Sequence, residues 1–463
     1  MSLTNFIYAY FANLVLLLVA LPSILRPSCR RRRFALGINL LAGGFWIYLI
    51  TQAPGPTAVY ALAPEAAKFL MVLAIANLLF LLYNGQHTAL ALKRAVLANF
   101  LLGANLFLLG AQNLILVIIA LAMVAILTYS LLLLGQTVCQ MKFLWRFFVL
   151  DQLANIFILL GLMILAKLGL GLALPTAFTQ LPFSPSPFLK PLTTLSVSFL
   201  LLGLIFKLGP LPFSGSWIDL VGNFKAEAVM AFLAFGTLPV AFVLLRFISL
   251  ILPFTWLAQD IWATIFYAGA GIMMALYNWW AWQNKNFGQS CIQGLLALAA
   301  LFLIFVPLAQ KINLATYLSL YLIYYILVVS GVLAILPYMA QANTALSHPL
   351  QGLFYRDLGL AAYVLVVWGS VMGLPLTFGL PIKYVLHMAV FQEGNLGGMI
   401  CLLVGALATA AFWGHHLTYL FQPVRGTSKT VHHTWGMRHT LGLGLMLGLL
   451  GLGIYPSLIM AYF

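Results

Sequence analysis

The chain has 463 residues, of which 64% are hydrophobic and 6% charged, and its mean hydropathy is +1.07. A soluble globular domain carries about 25% charged residues, so this chain lacks the side chains to cover a water-facing surface and reads as an integral membrane protein. Its net charge of +15 would raise the question of nucleic acid in a soluble protein. Here the basic residues sit mostly in short connections, where the positive-inside rule puts them, and no nucleic-acid partner is expected.

Nearly unbroken apolar runs of about 20 residues need a bilayer as solvent, and hydrocarbon admits only helices or closed barrels. The runs do not alternate apolar with polar residues, so they read as helices. In chain order they fall at 5–25, 34–52, 67–84, 95–111, 113–135, 147–170, 193–222, 226–252, 261–282, 289–310, 313–338, 358–392, 396–421 and 439–461. Arginines follow the first run in place of a small-residue cleavage site, so it reads as retained. The expected fold is an all-α polytopic membrane protein of about fourteen transmembrane helices.

Loop charge sets the direction. Connections after odd-numbered segments, with their flanks, hold 15 of the 22 Lys and Arg, including Arg30–Arg33, Lys93, Arg94, Lys285 and Arg425. The opposite side holds Lys68, Lys167, Lys190, Arg246 and Lys311. The first set is assigned to the inner face, which puts both termini outside. Arg30–Arg33 reads as a topogenic anchor, with a lipid or nucleic-acid patch as the functional alternative.

The polar connections 173–192, 339–357 and 422–438 are too short for a soluble domain, and no phosphate loop, nucleophile elbow or metal-ligand cluster is present. Conventional catalytic residues and a cofactor in this chain are therefore not expected. Cys29, Cys139, Cys291 and Cys401 show no CxxC or Cys/His pairing, which argues against a disulfide framework or a zinc site. His415, His416, His432, His433 and His439 are numerous enough to suggest a metal. The first two are adjacent, so they should point to different helix faces, and solvated or interfacial rings are favoured.

Two lysines fall inside apolar segments. A charge near the bilayer centre costs on the order of 3 kcal/mol, so each is a functional hypothesis by default. Lys207 stands about 15 residues into the seventh segment, roughly 20 Å deep at 1.5 Å per residue, and is followed by Gly209, Pro210 and Pro212. Lys383 follows a stretch punctuated by Gly373, Pro375, Gly379 and Pro381. Proline removes an amide hydrogen and displaces the carbonyl one turn back, so each break frees backbone groups that water, polar side chains or an ion must satisfy.

Broken helices at equivalent places in two halves are the sequence sign of inverted repeats. The expected organisation is three N-terminal helices (1–92), a first five-helix repeat (93–253), a second (254–422) and a last helix (423–463), with one broken helix in each repeat. A buried lysine loses its proton more readily when desolvated and holds it when a carboxylate is near. Of seven carboxylates, Asp151 is the one best placed inside the membrane, five residues after Arg146. Both readings, half of a structural ion pair and member of a proton relay, stay open.

Phe206–Phe213 (FKLGPLPF), followed by Trp217 and Asp219, resembles the broken seventh helix of the antiporter-like membrane subunits of respiratory complex I. Gly373–Tyr384 (GLPLTFGLPIKY) resembles their broken twelfth helix, and Asn278–Asn286 (NWWAWQNKN) the connection between helices 9 and 10. Length, fourteen segments and the absence of a long carboxy-terminal lateral helix fit the subunit N branch of NADH-quinone oxidoreductase best.

The resemblance implies a proton-translocating subunit in which Lys207 and Lys383 belong to a mid-membrane line of charged residues, with Arg146, Asp151, Asp219 and His387 as relay or support. It implies further antiporter-like subunits, a small helical subunit and lipids as partners, flavin and iron–sulfur clusters in the partner subunits, and a bacterial cytoplasmic or mitochondrial inner membrane. This chain also departs from the pattern. The family's Glu in helix 5 falls at Ala122, its Lys in helix 8 at Leu238, and the His after Pro-Phe is Ser214. Two alternatives follow: a structural subunit of the same complex that does not pump, or a cation/proton antiporter or hydrogenase-linked subunit.

Overall fold

The computed structural model describes residues 7–15, 17, 29–52, 67, 70–71, 74, 89–111, 113–134, 138–167, 189–208, 232–252, 255, 260–308, 314–340, 348–423 and 437–455. Its helices are α1 Cys29–Thr51, α2 Ala89–Gly110, α3 Leu114–Leu133, α4 Val138–Lys167, α5 Leu189–Leu208, α6 Leu238–Ile251 and α7 Asp260–Gln283. They continue as α8 Phe287–Ala299, α9 Leu314–Ala340, α10 Leu353–Arg356, α11 Leu358–Met372, α12 Gly379–Gln392, α13 Leu396–Thr418 and α14 Met437–Ile454. A π-helical turn, Phe232–Thr237, leads into α6. Among the described residues there is no β-strand, and six helices are long and apolar enough to cross a membrane.

The chain forms two compact units, the first holding α1–α6 and the second α7–α14. In the first, α4 lies along α5. Gly161 and Gly203 permit the close approach, for a Cβ on Gly203 would stand 2.5 Å from Ile158 Cγ1, and Ser196 Oγ donates to the Gly161 carbonyl at 2.8 Å. In the second, α7 crosses α13 backbone to backbone. A Cβ on Gly405 would lie 2.6 Å from the Gly271 carbonyl oxygen, and one on Gly271 would overlap the Cys401 carbonyl. The Asn278 amide donates to Thr409 Oγ1 across the same crossing at 3.0 Å. Lipid is as apolar as leucine, so small residues and interhelical hydrogen bonds supply the selectivity that the hydrophobic effect supplies in water.

Side-chain oxygens close helix starts that would otherwise leave amides unpaired. Asn113 caps α3, Asn286 caps α8, Asp357 caps α11 and Asn395 caps α13.

Several boundaries differ from the sequence expectation. Helix α1 begins at Cys29, so Arg30–Arg33 occupy its first turns and not a connection. Helix α4 begins at Val138, which places Lys142 and Arg146 on the helix. Arg94, assigned to an inner flank, is fully buried and donates to the carbonyl of Leu134, the C-cap of α3, at 3.1 Å. That end of a helix dipole favours a cation. The run 289–310 is not one α-helix, because Ala300–Ile304 winds as a 3-10 helix. The predicted segment 358–392 is interrupted between Met372 and Gly379.

Candidate functional site

Lys207 stands in the last described turn of α5. Residues 209–231 lie outside the described residues, and with them the expected break at Pro210 and the candidate Asp219. The packing of α5 on α4 brings Lys207 to Asp151, whose Oδ1 accepts from Nζ at 2.6 Å. Both side chains are under 10% exposed, so the pair is removed from lipid and bulk water alike.

A small cavity adjoins the pair. Thr128 of α3, Asn155 of α4, Gly236 and Thr237 of the π-turn, and Val240 of α6 line it. Its volume is about 10 Å³, room for the centre of about one water molecule. The π-turn brings its backbone close, since a Cβ on Gly236 would stand 2.6 Å from Thr128 Cγ2, and π-turns recur at functional sites for this kind of re-aiming. The buried Tyr129 hydroxyl stands beside Asp151.

Ala122, where the resemblance puts a Glu, is exposed on the outer side of α3, and the α3 residues that face the cavity are Leu121, Val124, Ala125 and Thr128. On the α6 side, Thr237 and Val240 line it, not Leu238. Neither element lines the cavity with a charged side chain, and the carboxylate comes from α4 instead. Arg146 is exposed, and no described ion pair or hydrogen bond joins it to the site.

In the second unit, Lys383 is buried on the first turns of α12. Helix α11 ends at Gly373, whose φ of 86° is left-handed; its amide donates to the Gly369 and Ser370 carbonyls, the αL termination that glycine favours. The break exposes the next carbonyl, Val371, and the Lys383 ammonium donates to it. Ser370 braces the same point, with its Oγ accepting from the Gly379 amide at 3.1 Å and its carbonyl accepting from Tyr324 OH at 3.0 Å. A side chain on Gly379 would overlap the Ser370 carbonyl.

Among the described residues no carboxylate forms an ion pair with Lys383. Asp357 caps α11, Glu393 accepts from Tyr267 OH at 2.7 Å, and Asp260 is exposed at the start of α7. His387, one turn beyond the lysine, donates from Nδ1 to the Lys383 carbonyl at 2.6 Å, so it touches the lysine's backbone and not its ammonium.

His415 and His416 are both half-buried and packed against other rings. The His415 ring stacks on Trp282 at 4.7 Å, and His416 meets His348, which sequence patterning did not single out. The Leu350 amide donates to His348 Nδ1 at 3.2 Å, so the neutral ring keeps its proton on Nε2 and gives it to His416 Nδ1 at 3.1 Å. His348 lies flat on Tyr419 with centroids 4.0 Å apart. Burial, with His415 nearby, pushes its pKa down to about 4. His432 and His433 lie outside the described residues. Among the described residues no cluster of three metal-ligating side chains occurs.

No family model matches the chain. Over 278 residues it is 26% identical to NADH-quinone oxidoreductase subunit N of Methylovorus glucosotrophus (strain SIP3-4), a match that spans 58% of this chain and 54% of that relative. Its structure is similar to a chain of respiratory complex I from Thermus thermophilus with bound aureothin, with TM-score 0.71 and 19% identity over 100% of this chain and 99% of that one. It is also similar to a chain of the archaeal membrane-bound sulfane sulfur reductase, with TM-score 0.81 and 14% identity over 99% and 96%. A chain of the Mrp complex from Dietzia sp. DQ12-45-1b matches with TM-score 0.79 and 14% identity, over 98% of this chain and 51% of that one. The chain is thus a divergent integral membrane protein with the antiporter-like fold that the sequence resemblance implied.

Proposed function

We propose that the chain is a proton-translocating subunit of a complex I-type NADH:quinone oxidoreductase and that Lys383 carries the proton. The observation that supports this most directly is the setting of Lys383: buried at a helix break, its ammonium on the Val371 carbonyl and no described carboxylate in contact. The carbonyl end of α11 offers only partial negative charge, so the charged lysine is poorly compensated and the neutral amine well tolerated. Water or a neighbouring group that reaches the break can then decide which form is held, which is what a proton-passing group requires.

Lys207 has a different setting. Its contact with Asp151 allows a proton to move between the two without a change in net charge, and the water-sized cavity beside them offers a way for it to leave. We assign this pair a supporting role. Electron transfer, with its flavin and iron–sulfur clusters, belongs to partner subunits under this reading, as do the further antiporter-like subunits and the small helical subunit.

Proton translocation per electron pair, measured in the assembled complex carrying Lys383→Ala or Lys383→Arg, tests the proposal. Alanine removes the acceptor, and arginine keeps a charge that is not released because guanidinium stays protonated. Both should lower the stoichiometry. Unchanged stoichiometry in both overturns it and leaves the structural, non-pumping reading, which the lack of charged residues from α3 and α6 lining the cavity beside Lys207 favours.

A further inference from the structure

The peptide that joins α11 to α12 rests on the last turns of α14. The Phe378 amide has no partner in α11 or α12 and donates to the carbonyl of Leu449 at 2.9 Å. One turn further along α14, Gly453 lies against the same peptide: a Cβ there would stand 2.7 Å from the Leu376 carbonyl carbon and overlap the carbonyl oxygen. Leu376 is held at φ 71°, a left-handed conformation that a leucine keeps only when its surroundings impose it. The contact is local to that turn, because Gly444, Gly448 and Gly451 on the same helix have nothing within 4 Å of a built Cβ.

This seat is linked to Lys383 through few bonds. Phe378 immediately precedes Gly379, whose amide is held by Ser370 Oγ. Its ring packs edge-on against Tyr324 at 6.0 Å, and Tyr324 OH donates to the Ser370 carbonyl. Val371, the acceptor for the Lys383 ammonium, is the next residue. Lys383 itself lies one helical turn beyond Gly379. A displacement of residues 376–378 therefore alters the start of α12 and the lysine that its first turns carry.

We propose that the α14 turn Leu449–Gly453 is a clamp on the break and that Gly453 is a positioning residue for Lys383. A glycine is required there because the Leu376 peptide occupies the volume of any side chain. Movement of α14 shifts the clamp, and with it the reach of the ammonium to Val371. The inference rests on the proton-carrying reading of Lys383 for its functional consequence, while its geometry stands apart from that reading.

The test compares Gly453→Ala with Gly448→Ala, a substitution of the same chemistry on the same helix with open space around it, in the full assembled complex. Hydrogen–deuterium exchange of the peptide spanning 374–380 should be roughly tenfold faster in Gly453→Ala, as expected for loss of one hydrogen bond, and unchanged in Gly448→Ala. The pH profile of proton translocation should shift only in Gly453→Ala, and in a Lys383→Ala background the second substitution should reduce translocation no further. Equal exchange in the two alanine variants overturns the clamp, and a further loss in the Lys383→Ala background overturns its action through the lysine. If exchange responds as expected while Lys383→Ala pumps normally, the clamp stands and only the proton-carrying reading falls.

Discussion

Asp151 and Lys207 are separated by 56 positions in the chain and joined by a 2.6 Å contact between a carboxylate oxygen and an ammonium. The pair is the counterpart of nothing local, since the helices that carry it, α4 and α5, are joined by residues that include 168–188. It supplies a negative charge to a lysine whose α3 neighbours, Leu121, Val124, Ala125 and Thr128, are all uncharged.

Asp151→Asn should therefore be severely destabilising. It leaves a buried ammonium without its partner, a change that costs about 3–5 kcal/mol, whereas an exposed pair is worth about 1 kcal/mol or less. Thermal unfolding in detergent should show a large loss for Asp151→Asn and a smaller loss for Asp151→Asn combined with Lys207→Met. A single variant as stable as the native chain would mean that the contact contributes nothing.

The α7–α13 crossing should tolerate no side chain at Gly271. A Cβ there overlaps the Cys401 carbonyl, while Gly269, two residues earlier, has nothing within 4 Å. Overpacking of this kind costs roughly 1–3 kcal/mol or more, so Gly271→Ala should lower yield and unfolding temperature and Gly269→Ala should change neither. Equal behaviour of the two would contradict the crossing.

The His348 contact should make the second unit sensitive to mild acid. Its pKa in the fold, about 4, is below the ordinary value of 6.5, so the folded state disfavours the protonated ring. The ring's contribution to stability is complete above pH 6.5 and is lost as pH falls through about 4. His415, His416 and Tyr419 face the same ring, and a second proton would set two cations against each other. Unfolding temperature should fall less between pH 7 and pH 5 in His348→Gln than in the native chain; an identical pH dependence would refute the assignment.

Topology can be read from two exposed lysines. Lys285, in the short connection between α7 and α8, belongs to the basic set assigned to the inner face, and Lys190, at the start of α5, to the opposite set. Single cysteines at the two positions should be labelled by an impermeant reagent from opposite sides of the membrane, position 285 from inside. Labelling of both from one side would invert part of the helix order.

Membrane class, helical fold and the twelfth-helix break were legible in the sequence because each depends on local chemistry. An apolar run of about 20 residues needs a bilayer, and glycine and proline at 373–381 end a helix whatever surrounds it. The two lysines stood out for the same reason, since a charge in such a run is costly wherever it points.

What surrounds them was decided only by the tertiary structure. In a soluble helix the polar face marks the outside, but here both lipid and neighbouring helices are apolar, so α3 carries no signal that Ala122 faces outward and Thr128 inward. The choice of Asp151 as partner for Lys207, the meeting of His348 with His416, and the seat of the break on Leu449 and Gly453 all depend on which faces meet. In this chain small residues, buried hydrogen bonds and close backbone contacts fix those faces, and they act only once the helices are packed.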